Sequence, residues 1–333
     1  VYNDSFLTDF YSQFNIFTDI FKFSMDVTEV ELNRYLYLHQ YEFNFVKKMK
    51  FSVLEGRFVN APFDLLYVNP VMIQHSQGGW YEYKNKKEYK WYGDECHFCA
   101  YMCFLLEYNP VKNLRLYLNY AQTEIQTSWE VCDVPCGLGG QFGAEYRLSS
   151  ASNGYWIFGV EGVYTSPWLY IKNGKEWSLI SYRSSPNSSG PLESWIGFPY
   201  GPDCLGGQVK AGVENFGKWN AYFSWTTILH GQNRFGMFTK NRKGYYDYFP
   251  SVKIKHTDSE EEKELIRKKN ADMFPSGCVE YLNKASVEGT YIFNSHFSLS
   301  GKALYSFIYN FENKKGNFQK GMEFYLSGTY SLF

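Results

Sequence analysis

The chain has 333 residues, a net charge of −1 and a mean hydropathy of −0.40, yet 20 % of its residues are aromatic, with 30 Tyr and 29 Phe. A near-neutral chain offers nucleic acid no basic face. No stretch approaches the 18 or more apolar residues of a membrane helix, which leaves a β-barrel open as a way to span. So many rings in a chain that is polar on average require apolar and polar residues to alternate finely, as on two-faced strands.

The chain opens at Val1-Tyr2-Asn3-Asp4 without a basic stretch followed by an apolar one, so any signal peptide is expected to have been removed. From Leu32 to Val46 one face carries Tyr35, Tyr37, Tyr41, Phe43 and Phe45, and the other Arg34, Gln40, Glu42 and Asn44. Leu114, Leu116, Leu118 and Tyr120 alternate with Arg115 and Asn119. Trp219, Ala221, Phe223 and Trp225 repeat the pattern, and Phe297 to Phe311 holds it longest. Runs of 10 to 15 residues exceed the usual soluble strand of about five or six.

Strands are expected to begin near Phe10, Leu32, Lys50, Cys96, Lys112, Gly137, Gly154, Leu205, Lys218, Cys278, His296 and Asn317, which makes twelve. Alternation slips between Phe17 and Phe21, so fourteen stays open there. Tight turns at Lys47-Lys48, Asn109-Pro110, 151–153, Phe216 to Lys218 and Asn294-Ser295 alternate with long loops at 61–94, 124–136, 166–204 and 231–277. Short turns on one side and long loops on the other mark a single antiparallel transmembrane barrel of the bacterial outer membrane, both termini periplasmic. The charge-dense run His256 to Asn270 suits a short exposed helix or a solvated loop. In the last strand Met322, Phe324, Leu326, Tyr330 and Leu332 are out of phase with Phe333, so an inward ring, a bulge near Gly328 or a native chain that continues beyond Phe333 is expected. A soluble β-sandwich is the competing fold, and it predicts extraction without detergent.

By strand phase the lumen receives Arg34, Glu42, Glu55, Arg57, Glu107, Arg115, Glu145, Arg147, Glu161, Lys210, Glu214, Glu288, Lys302 and Glu323. Such charges need water or each other. They read either as a network that shuts the barrel or as the lining of a pore.

Trp80, Trp91, Trp129, Trp168, Trp177 and Trp195 fall in the long loops, whereas Trp156, Trp219 and Trp225 face lipid. Trp80, Trp91, Trp168, Trp177 and Trp195, with Tyr200, form the candidate ligand-binding set, because flat rings suit the C–H faces of sugars. Cys96, Cys99, Cys132, Cys136, Cys204 and Cys278 gather at the loop end, where disulfides stapling the loops are the leading reading. A metal site at Cys96, His97 and Cys99 lacks a second ligand pair. Gly137-Leu-Gly139-Gly140 opens a strand, not a strand-to-helix turn, so it is no dinucleotide loop. No catalytic constellation stands out, and neither enzymatic activity nor a cofactor is expected.

Arg34 and His39 on one strand, Ser52-Val-Leu-Glu55-Gly-Arg-Phe58, Leu66-Tyr-Val-Asn69-Pro70, Gly93-Asp94-Glu95, Gln122-Thr-Glu124 and Tyr164-Thr-Ser-Pro167 follow in an order that resembles the capsule-assembly Wzi-like outer-membrane barrels. The resemblance implies a closed barrel holding capsular polysaccharide at its external loops. This chain departs from it with Asp94-Glu95, a shorter barrel and no visible helical plug. Three functions follow as expectations: binding or anchoring surface polysaccharide, a porin or substrate channel, or a loop-presenting subunit of a larger surface complex. The expected partners are outer-membrane lipid, surface polysaccharide and other surface proteins, with no nucleic acid.

Overall fold

The computed structural model describes residues 10–74, 98–124, 136–150, 154–171, 178–183, 192–232, 239–240, 246–247, 259–271 and 274–331. Thirteen antiparallel strands form one sheet: β1 (Phe10–Phe17), β2 (Phe21–Glu31), β3 (Arg34–Val46), β4 (Met49–Asn60), β5 (Phe98–Tyr108), β6 (Leu114–Glu124), β7 (Gly137–Ser150), β8 (Gly154–Thr165), β11 (Cys204–Asn215), β12 (Trp219–His230), β15 (Glu280–Ile292), β16 (Phe297–Tyr309) and β17 (Phe318–Tyr330), paired in that order. Short pairs β9 (Ile180–Arg183) with β10 (Leu192–Trp195), and β13 (Thr239–Lys240) with β14 (Tyr246–Asp247), lie outside it. Every sheet strand except β1 is 11 to 14 residues long.

Thirteen replaces the expected twelve because the slip between Phe17 and Phe21 is a turn. Thr18 N donates to Phe21 O at 2.7 Å, and one presumed strand becomes β1 and β2. The added strand puts the start of β1 at the opposite end of the sheet from the finish of β17, not at the same end. Among the described residues no pairing joins β1 to β17. β16 and β17 stay in register through Gly328, so no bulge lies there, and Phe333 is outside the described residues.

Register carries one polarity across the sheet. Phe104, Leu118, Phe142, Trp156, Phe158, Val209, Phe223, Trp225, Val287 and Phe324 share one face, where most of them are exposed. Most of the charges occupy the other face. Helix α1 (Glu260–Ala271) starts at a capping box: Ser259 N donates to Glu262 Oε2 at 2.8 Å, and Glu262 N to Ser259 Oγ at 3.2 Å.

Candidate functional site

The segment that follows β8 folds back over the charged face and caps it. Leu138 N donates to Ser166 Oγ at 2.9 Å and Ser166 N to Leu138 O at 2.8 Å, which seats the segment on β7. Gly139 makes room for it, because a Cβ there would lie 2.6 Å from Leu169 Cδ2. Leu179 N then bonds Tyr170 O at 2.9 Å, Ile196 N bonds Leu179 O at 2.8 Å, and Phe198 N bonds the Tyr170 hydroxyl at 3.1 Å. The result is a compact cap with Leu169, Ile171, Leu179 and Ile180 in its interior.

This cap touches strands far apart in the sheet. Leu179 packs with Val30, Leu36, Leu38, Phe58 and Cys99, while Phe198 and Tyr200 pack against Val163, Cys204, Ile228 and Leu282. Arg34 Nη2 on β3 donates to Ile180 O at 2.9 Å, and Lys284 Nζ on β15 to the Tyr200 hydroxyl at 2.9 Å. Eight strand steps separate β3 from β15. A flat sheet would hold them roughly 38 Å apart at about 4.8 Å per step. The sheet therefore curls around the cap, with its charged face inside.

Below the cap the concave face carries ion pairs that remain partly exposed. Lys50 Nζ lies 2.8 Å from Glu42, and Arg115 Nη2 2.8 Å from Glu107. Arg147 Nε lies 3.0 Å from Glu145. Glu288 sits between two lysines, Lys210 at 3.7 Å and Lys302 at 3.4 Å, each of the three side chains about 40 % exposed. Arg34 differs in being buried under the cap, held by Glu31 at 2.8 Å and stacked 4.6 Å over the Phe58 ring.

Glu55 and Arg57 correct the sequence reading. They pair with His39 and Tyr37, which places them on the face opposite the other charges, among Phe23, Tyr41 and Phe51. Residues 61–74 lie over them there, with Tyr67 and Met72 packed on Tyr37 and Val59. Arg57 is fully buried, donates to Gln74 O and stacks 5.2 Å over the Tyr67 ring. His39 lies 3.8 Å from Glu55 and 3.4 Å from Gln74 Nε2. Buried charge is tolerable on that face because a loop, not an apolar medium, surrounds it.

Of the candidate rings, Trp168 and Trp195 are 3 % and 5 % exposed, packed into the cap, so neither offers a flat face to a sugar. Tyr200 stacks 5.1 Å from Lys284 Nζ. Trp80, Trp91, Trp129 and Trp177 lie outside the described residues, as do Cys96, His97 and Cys132. The disulfide reading is corrected where it can be tested: no bond joins any two of Cys99, Cys103, Cys136, Cys204 and Cys278. Cys99 is packed among apolar side chains, and the Cys204 thiol donates to Pro202 O at 3.3 Å. In the cap, burial pushes the Tyr170 hydroxyl well above its ordinary value of 10.0.

One part of the site escaped the sequence reading. Leu36 and Leu38 interrupt the polar face of β3, and that lapse in alternation was its only signal. Together with Leu54, Cys103 and Leu105 they wall a cavity of about 160 Å³ beneath Leu169, Leu179, Ile196 and Phe198.

No family model matches the chain, and no curated protein matches it, so nothing found stands behind the likeness to capsule-assembly barrels. Among solved structures, one titled CymD monoaromatic hydrocarbon channel is similar at 8 % identity and a TM-score of 0.33, over 97 % of this chain and 82 % of that one. The chain is an all-β protein built on one thirteen-stranded antiparallel sheet.

Proposed function

We propose that this chain is an outer-membrane β-barrel acting as a capped channel, its exposed apolar face against lipid and its charged face around a wet bore. The supporting observation is the exposure of the Lys210–Glu288–Lys302 group on the face around which the sheet curls. Ion pairs that merely shut a barrel would be dry, and such pairs are costly unless fully satisfied. Strands of 11 residues or more suit the 9 to 11 or so residues that cross a bilayer when tilted. Pairing of β1 with β17 belongs to this reading and completes the wall, since a spanning sheet keeps no open edge in lipid.

Planar-bilayer recording tests it. Discrete conductance steps from the purified chain, enlarged when residues 178–198 are replaced by a short Gly/Ser linker, are expected. A silent bilayer with both forms, each shown to be folded by heat-modifiable electrophoretic mobility, would overturn the channel.

A further inference from the structure

On the concave face that also carries the ion pairs, the cavity under the cap is walled mostly by aliphatic and aromatic side chains. Its walls come from β3 to β8 and its ceiling from the cap, so it exists only while the cap is seated. Of the polar groups that line it, Asn119 Nδ2 donates to Gln141 Oε1 at 2.9 Å and Thr165 Oγ1 to Gly201 O at 2.9 Å, while the buried Thr123 hydroxyl has no partner among the described residues. Ion pairs flank it without lining it: Arg34, paired with Glu31, is two residues from Leu36 on β3, and Glu107, paired with Arg115, is two residues from Leu105 on β5. The wall therefore holds no charged side chain, and its lining is mostly apolar.

Size narrows the guest further. An apolar cavity of about 150 Å³ in a protein core stays dry and takes up benzene or xenon. At about 160 Å³ this one matches a molecule of one six-membered ring with at most a small substituent. A sugar of similar size would leave its hydroxyls without partners, at about 1 to 3 kcal/mol for each such group.

We propose that this cavity is a binding site for a small, uncharged, apolar molecule of single-ring size, held under the cap on its way through the bore. The site rests on the channel reading for its location on the lumen side, but its occupancy is a separate property. It is reached from the wet bore or by movement of the cap, and charged solutes are excluded because no charged side chain lines it.

The test is ¹⁹F NMR of fluorobenzene with the full chain in lipid nanodiscs, using empty nanodiscs to subtract partition into lipid. Saturable binding, competed by toluene and not by glucose, is expected. Ala121→Leu fills the cavity from β6 and is expected to weaken binding about tenfold or more. Leu54→Ala enlarges it and is expected to admit naphthalene, which the parent rejects. Heat-modifiable mobility checks that both variants are folded. Absence of saturable binding, or binding unchanged by both substitutions, would overturn the site even where conductance steps persist. Binding in a chain that never conducts would instead retain the site and remove the channel.

Discussion

Tyr117 on β6 donates its hydroxyl to Glu161 Oε2 on β8 at 2.6 Å, reaching across the full width of β7. It can do so because residue 143 between them is glycine: a Cβ there would lie 2.2 Å from Tyr117 Cζ. The ring fills the space that Gly143 leaves and gives a carboxylate on the concave face a partner.

Gly143→Val is accordingly expected to expel the ring and destabilise the sheet by about 1 to 3 kcal/mol, from a lost hydrogen bond and local crowding. Urea unfolding of Gly143→Val, Tyr117→Ala and the double variant checks this. The double variant should lose less than the sum of the two singles. Strict additivity would mean that the glycine serves some other purpose.

Glu288 is shared by two lysines from different strands, β11 and β16. Glu288→Gln leaves Lys210 and Lys302 facing the bore uncompensated. Reversal potentials in a salt gradient are expected to shift towards anion selectivity, more strongly at low ionic strength because screening is weaker there. Lys302→Gln should shift them the other way. An unmoved reversal potential in both variants would place the ion path elsewhere.

The rim has its own latch. Asp203 is buried; Ser276 N donates to its Oδ1 at 3.0 Å and the Ser276 hydroxyl to its Oδ2. Gly231 N adds a bond to Asp203 O at 2.8 Å. Asp203→Ala removes the carboxylate and strands a buried amide, a loss of about 2 to 3 kcal/mol. Faster amide exchange at Ser276, with that of β12 unchanged, is the expected reading. Uniform acceleration along the sheet would show that the latch is not local.

Tyr170 makes the cap sensitive to alkali. Its hydroxyl titrates above the ordinary value of 10.0 because burial opposes the phenolate. With the folded value raised, the seated cap is fully stabilised below pH 10 or so. It loses that stability as pH rises towards the folded value, because the unseated form gives up its proton first. Conductance is therefore expected to increase reversibly above about pH 10, and Tyr170→Phe to move the onset upward. An onset unchanged in Tyr170→Phe would assign the effect to another group.

Most of the sheet was legible in the sequence, because residues such as Leu114, Leu116, Leu118 and Tyr120, or Tyr305, Phe307 and Tyr309, at every second position fix both the strand and its apolar face. The charged face followed by subtraction, and it failed where charge was equated with hydration. Glu55 and Arg57 share the phase of Tyr37 and Tyr41, and only the 61–74 segment lying over them reconciles charge with that face. The cap was read only as a long loop at 166–204, with no sign of where it packs. It has little regular structure, and its position depends on contacts such as Arg34 with Ile180, which are 146 residues apart. The cavity inherits that blindness, since its ceiling belongs to the cap.

In the barrel proposed above, the 61–74 segment also bears on the bilayer. It covers the outward face of β3 from Tyr35 down to His39, a length of roughly 13 Å at about 3.4 Å per residue. On the opposite wall the rings of β12 and β15 run uncovered almost to the rim. A barrel with those two sides has an uneven hydrophobic thickness, low beside β3 and tall beside β12. Lipid answers such mismatch by thinning locally or by letting the protein tilt. The bore axis would then lean towards the side where the loop lies down.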